Sequence, residues 1–144
     1  MSKLNSVLLV DDSNLTNFYN MKIIQSIDKS THVYTAENGL QAIEFLSKND
    51  SEQNLPNIIL LDLNMPVMNG FEFIDNFEKL SLKDKSKILI ICLTSSNRED
   101  DFKKITNNKY VKGFIEKPLQ KNAFKSILSK YQNNNTISNM VFKN

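Results

Sequence analysis

Asp11-Asp12, Asp62, Thr94-Ser95 and Lys117 are the residues of this 144-residue chain that could do chemistry together. Each follows an apolar, strand-like run. Val7-Leu8-Leu9-Val10 leads into the acid pair and Ile58-Ile59-Leu60-Leu61 into the lone acid. Ile88-Leu89-Ile90-Ile91-Cys92-Leu93 leads into the hydroxyls, and Phe114-Ile115-Glu116 into Lys117-Pro118. If these runs are parallel strands of one sheet, the groups meet at its carboxyl edge, where open α/β sheets bind ligands. Three carboxylates brought together repel, so one of them holds a proton or a cation neutralises them. Oxygen donors without histidine favour a hard ion, and a partly hydrated site favours Mg²⁺ over Ca²⁺. A carboxylate beside Mg²⁺ and a lysine is suited to accept a phosphoryl group: the metal and Lys117 offset charge on the transferring oxygens, and the Thr94 hydroxyl can donate to one of them. An aspartate nucleophile would form an acyl phosphate. Taken singly, each residue has a plainer reading: the acids and Thr94 as helix caps, Lys117 as a solvated charge. Their joint occurrence, in this order and each at a strand end, carries the chemical one.

Strand-like and helix-like runs alternate, which predicts βαβ units and a parallel sheet. Strands are expected at about Ser6–Val10, His32–Ala36, Asn57–Leu61, Lys87–Leu93 and Val111–Ile115. Between them lie helices from about Asn14 to Ile27, with Thr16, Tyr19, Ile23 and Ile27 as the inner stripe, and one with Leu40, Ile43 and Leu46 inward. A third runs from about Gly70 to Leu80, with Phe73, Ile74 and Phe77 inward. A short charged helix from Arg98 to about Asn107 is anchored by Phe102 and Ile105. The last opens at Pro118 or Leu119 and turns Phe124, Ile127, Leu128 and Tyr131 to the core. Ser13 or Asn14 can cap the first helix. Five such pairs imply an α/β fold: a doubly wound (βα)5 three-layer sandwich, flavodoxin-like, with parallel strand order 2-1-3-4-5. Adjacent strands lie ~4.8 Å apart, so Asp11, Asp12 and Asp62 converge.

Composition excludes several classes. A net charge of +2 with scattered lysines provides no basic stripe for nucleic acid. One histidine, His32, rules out a multi-histidine metal site and reads as a surface residue at a strand end. The single cysteine, Cys92, sits inside an apolar run and reads as a small buried hydrophobe. No apolar run approaches the ~18 residues of a membrane span, and Leu4 to Val10 is too short for a signal peptide. A cytoplasmic protein is expected, with residues 1–131 as one domain and 132–144 as a polar, frayed tail carrying an apolar island at Met140-Val141-Phe142.

The motifs Val10-Asp11-Asp12-Ser13, Leu61-Asp62-Leu63-Asn64-Met65-Pro66 with Gly70, Leu93-Thr94-Ser95 and Phe114-Ile115-Glu116-Lys117-Pro118 together resemble the receiver domain of two-component response regulators, from about Val7 to Tyr131. The resemblance implies roles. Asp62 would be the phosphoacceptor. Asp11 and Asp12 would be Mg²⁺ ligands together with Asp62, and the Asn64 backbone carbonyl a further one. Lys117 would pair with the phosphoryl group, and Thr94 would shift inward to bond it. Ser95 would keep the approach open, Pro118 would follow a cis bond, and Gly70 would let the loop turn where a side chain would clash. Phe114 would be the aromatic switch, moving with Thr94; Asn64 and Ser96 would tune dephosphorylation. Leu15 and Phe18, off the core stripe of the first helix, would belong to a patch that docks a sensor histidine kinase or histidine phosphotransfer protein.

Only thirteen residues follow Tyr131, so the resemblance implies a stand-alone receiver, not a turnover enzyme. It would act on a downstream protein through the fourth helix, fifth strand and fifth helix, or pass the phosphoryl group on. Two other functions use similar groups. A haloacid-dehalogenase-like phosphatase would need a second aspartate where Asn64 stands and an acid pair late in the chain. A degenerate receiver acting as a constitutive binding module would need a defect among site groups that are all present.

Overall fold

A computed structural model describes residues 4–50, 54–95, 103–105 and 108–132, and the backbone of 140–142. The elements run β1 (Ser6–Val10), α1 (Asn14–Ile27), β2 (His32–Ala36), α2 (Gly39–Asp50), β3 (Ile58–Asp62), α3 (Gly70–Lys79), β4 (Leu89–Thr94), the helical residues 103–105 (α4), β5 (Val111–Glu116), α5 (Lys121–Gln132) and β6 (Met140–Phe142). The strands form one parallel sheet in the order β2-β1-β3-β4-β5-β6. Its first five strands have the expected order. The sixth is a correction: Met140–Phe142, read from sequence as part of a frayed tail, pairs with the outer edge of β5. The reading missed it because three residues in an asparagine-rich stretch carry too little periodicity to register as a strand.

β1 and β3 are buried along their whole length. Both faces of the sheet are covered by helices, which is why these strands read as unbroken apolar runs. On one face, Leu8, Val10, Ile59, Leu61, Ile90, Cys92 and Phe114 pack with Ala42 and Leu46 of α2, Phe73, Ile74 and Phe77 of α3, and Ile105. On the other, Val7, Leu9, Ile58, Leu60, Ile91, Leu93 and Ile115 pack with Ile23 and Ile24 of α1 and with Ala123, Phe124, Ile127 and Leu128 of α5.

Two helix faces differ from expectation. Tyr19 is 57% exposed, and the buried positions of α1 are Asn17, Asn20, Ile23 and Ile24. The buried stripe is offset because two polar side chains occupy it, and polarity pointed the sequence reading the other way. In α2, Leu40 is exposed and the inner residues are Gly39, Ala42 and Leu46, with Ile43 half-buried. A Cβ on Gly39 would stand 2.8 Å from the backbone oxygen of Met68, so α2 begins pressed against the loop after β3. Of the charged helix expected from Arg98 to Asn107, Ile105 is buried as anticipated, whereas Phe102 and Ser96 lie outside the described residues.

Candidate functional site

The site is built by register. Val10 lies opposite Leu61, so Asp11, the next residue, is level with Asp62 at the end of β3. Asp62 lies opposite Leu93, which places Thr94 one step further out. Between β4 and β5 the register shifts: Ile90 faces Val111 but Ile91 faces Gly113, so Lys112 is the extra residue of a bulge. The shift brings Thr94 opposite Glu116, and the Thr94 carbonyl accepts the N–H of Lys117 at 2.7 Å. Lys117 therefore leaves the sheet directly beside the acids.

Carboxylate oxygens of Asp11, Asp12 and Asp62 lie within 4.8 Å of one another. Asp11 and Asp62 are buried, at 3% and 4% exposure, and Asp12 faces solvent. Lys117 Nζ stands 3.0 Å from Asp11 Oδ2 and 3.0 Å from Asp62 Oδ1. Three acids against one ammonium leave an excess of negative charge in a partly dry site. Burial pushes the Asp62 carboxyl above its usual range; the hydrogen bond and charge of Lys117 oppose this, the charge of Asp11 adds to it, and the Asn64 N–H opposes it. For Lys117, burial acts against the charged form, but its bonds to Asp11 and Asp62 and their charges outweigh it and raise its pKa.

The backbone holds each acid in place. The Ser13 N–H donates to Asp11 Oδ1 at 2.9 Å, and the Asn64 N–H to Asp62 Oδ1 at 3.3 Å. Ser13 also caps α1, its hydroxyl accepting the Thr16 N–H at 3.1 Å. Gly70 lies under the loop after β3: a Cβ there would meet the Asp62 carbonyl oxygen and Leu63 Cα, each at 2.7 Å. The same loop turns through Val67 at φ 68°, a conformation unfavourable for a β-branched residue. Lys117-Pro118 is cis, as expected.

The other expected residues fall around this cluster. Thr94 is half-buried, and Ser95 and Asn64 are exposed. Phe114 points into the core at 4% exposure. Leu15 and Phe18 are 78% and 55% exposed, and with Tyr19 they line a groove of about 510 Å³ that extends to Leu93, Pro118 and Leu119. Asn17 is a site residue the sequence reading missed: buried in α1, it donates from Nδ2 to the Asp11 carbonyl at 3.0 Å. Its place one turn after the N-cap was the available signal.

The donor set suits a hard divalent ion: several oxygen donors, no nitrogen or sulfur among the clustered groups, and more negative charge than Lys117 offsets. Among the described residues, no helix is long and apolar enough to cross a membrane.

Residues 7–129 match the model of the response regulator receiver domain. The chain is 31% identical over 133 residues to the autoinducer 1 sensor kinase/phosphatase LuxN of Vibrio campbellii, an alignment covering 92% of this chain and 14% of that protein. It is 36% identical over 96 residues to the nitrate/nitrite response regulator protein NarL of Escherichia coli, covering 67% of this chain and 40% of that one. Each of these relatives is thus much longer than the part matched here. A crystal structure of a two-component response regulator from Cytophaga hutchinsonii superposes with a TM-score of 0.83 at 33% identity, covering 92% of this chain and 99% of that one.

Proposed function

Because this chain belongs to the response regulator receiver domain family, we propose that it receives a phosphoryl group on Asp62 from a phosphohistidine donor and signals through a surface that changes as a result. The observation that carries this reading is the buried Asp62 carboxylate held beside Lys117 within a cluster of three acids. A carboxylate oxygen of Asp62 attacks phosphorus. The N–P bond to the donor imidazole breaks, its electron pair stays on the ring nitrogen, and that nitrogen takes up a proton. The product on this chain is an acyl phosphate.

Asp11, Asp12, Asp62 and the Asn64 backbone carbonyl would hold Mg²⁺. When bound, it supplies Lewis-acid neutralisation of the transferring oxygens. Lys117 pairs with one phosphoryl oxygen, and the Thr94 hydroxyl donates to another. Ser95 is small and leaves the approach to Asp62 open. Gly70 and Pro118 shape the two loops that bring Asn64 and Lys117 to the site. Phe114 follows Thr94, and its inward position rests on apolar burial worth about 1–3 kcal/mol. The chain is a switch and not a turnover enzyme. Residues 1–131 are its receiver unit, and 132–144 follow it as a tail. A cytoplasmic location, outside the membrane and without nucleic-acid binding of its own, belongs to the same proposal.

The donor, a sensor histidine kinase or histidine phosphotransfer protein, docks on the groove beside α1. Leu15, Phe18 and Tyr19 supply exposed apolar contacts there, next to Pro118 and the site. The downstream protein reads α4, β5 and α5. Beryllofluoride with Mg²⁺, followed by NMR, tests the reception step: the reading predicts a saturable adduct that shifts the amides of Asp62, Thr94 and Phe114 and is lost in Asp62→Asn. Unchanged spectra in the wild-type protein would refute it. For the groove, Leu15→Ala and Phe18→Ala should slow transfer from the cognate histidine donor while sparing transfer from acetyl phosphate. Equal slowing of both would remove the groove from the account.

A further inference from the structure

Charge is unevenly divided along this chain. Residues 1–101 carry fifteen acids against nine lysines and arginines, whereas residues 103–130 carry eight lysines and one acid, Glu116. The net charge of +2 conceals this division. In the fold the basic segment forms one side of the molecule: β5 lies beyond β4 in the sheet, Ile105 of α4 packs on one face and α5 on the other. Lys117 belongs to the site already described. Lys109, Lys121 and Lys125 are exposed, and Lys112 is half-buried. The ion pairs among the described residues, Lys87 with Asp84 and Lys117 with Asp11 and Asp62, involve none of these four.

Stability does not account for the arrangement. Lys121 is the first residue of α5, where the helix dipole disfavours a cation, and no acid lies in that first turn. Lys125 follows one turn later, and like charges four residues apart repel. Lys130, by contrast, stands in the last turn, where a cation offsets the dipole. Cations held where the chain's own field opposes them are relieved by an anion from outside.

We propose that Lys109, Lys112, Lys121 and Lys125 form a docking surface for an acidic, carboxylate-bearing segment of a partner protein. Taking that partner as the downstream protein rests on the function proposed above; the charge complementarity does not.

Among polyanions, a protein segment fits this surface best. Among the described residues the exposed large hydrophobics are Leu15, Phe18, Tyr19, Leu40 and Val67, none of them on β5 or α5. The basic side therefore lacks apolar side chains to insert into an anionic membrane and aromatic platforms on which bases stack. Residues 103–130 hold no arginine, so the fixed fork that grips phosphate bidentately is missing. The acids of residues 1–101 repel a polyanion long enough to run past the basic side, while a short acidic segment stays over it.

Two-dimensional NMR of the full-length protein tests the inference. The probe is a short poly-L-glutamate, with an oligothymidylate of equal charge and vesicles of anionic phospholipid as the other arms. The expectation is saturable shifts at the amides of Lys112, Lys121 and Lys125, with affinity at least tenfold weaker in Lys121→Glu/Lys125→Glu. Lys29→Glu/Lys79→Glu makes the same change in net charge at exposed positions elsewhere and should leave binding within twofold of the wild type. Shifts that avoid β5 and α5, equal weakening by the two double variants, or oligothymidylate or vesicles bound as tightly as polyglutamate would overturn the proposal. If a double variant does not fold, salt decides on the wild-type protein: binding that weakens at least tenfold from low to physiological ionic strength supports the surface, and salt-independent binding overturns it. Beryllofluoride binding at Asp62 is measured in the same samples. An adduct without polyglutamate binding removes the docking surface alone, and polyglutamate binding without an adduct removes the phosphoacceptor reading alone.

Discussion

Lys117 holds two buried carboxylates at once, and the metal-free site depends on it more than on any other side chain. Lys117→Met leaves Asp11 and Asp62 buried without their cation, so stability in chelator should fall by about 3 kcal/mol. The rate of phosphorylation by acetyl phosphate should drop about 10²-fold while Mg²⁺ binding persists. Denaturant unfolding and an Mg²⁺ titration separate the two effects. Asp62 should show the opposite sign. Its folded pKa is raised, so the stability it contributes is fully present below 3.8 and is lost as pH rises through the higher folded value. In chelator at neutral pH, Asp62→Asn should therefore be more stable than the wild type, and the two should converge in acid. A neutral-pH gap of the reverse sign would contradict the burial argument. Asn17→Ala should weaken Mg²⁺ binding about tenfold, since it frees the carbonyl that fixes Asp11, with calorimetry as the check. The clustering of the acids with Lys117 was legible in the sequence because each ends an apolar run. Asn17 was not, because a buried asparagine looks in sequence like a surface residue.

The loop between β3 and α3 shows what the site requires of an element. Gly70 sits where any Cβ would strike the Asp62 carbonyl, and two residues before the N-cap Asn69 the chain passes through Val67 with positive φ. Val67 is largely solvent-exposed, so its conformation is imposed by the loop and not by packing of its side chain. Val67→Gly should relieve that strain and raise stability by about 1 kcal/mol, measured by thermal or denaturant unfolding; a loss of stability would mean that the loop is not strained there. At this scale the sequence revealed strand positions well, because fully buried strands are continuous apolar runs. Helix faces were less legible. Tyr19 and Leu40 were assigned inward by hydrophobicity, while Asn17, Asn20, Gly39 and Ala42 hold the buried places, Asn17 with a hydrogen bond to the Asp11 carbonyl and Gly39 in close approach to Met68. The bulge at Lys112 and the pairing of β6 arise from contacts between distant segments, which no local pattern encodes.

At the scale of the molecule, a single parallel sheet carries three structural features. Its carboxyl edge gathers the acids and Lys117, its α1 side carries the exposed apolar groove, and its β5 side carries the edge that the tail strand occupies. β5 joins the last two: Phe114 and Ile115 face opposite sides of the sheet, and the strand ends at the lysine of the site. A chemical change at Asp62 thus has a short path to both surfaces. The five-strand order followed from the alternation of runs, whereas the identity of the surfaces had to await the folded chain. The central claim is that Asp62 accepts a phosphoryl group in a metal-dependent reaction. Intact-protein mass spectrometry after incubation with acetyl phosphate tests it most directly. The account predicts a gain of one phosphoryl group with Mg²⁺, none in chelator and none in Asp62→Asn. An unmodified wild-type protein, or equal modification of Asp62→Asn, would contradict it.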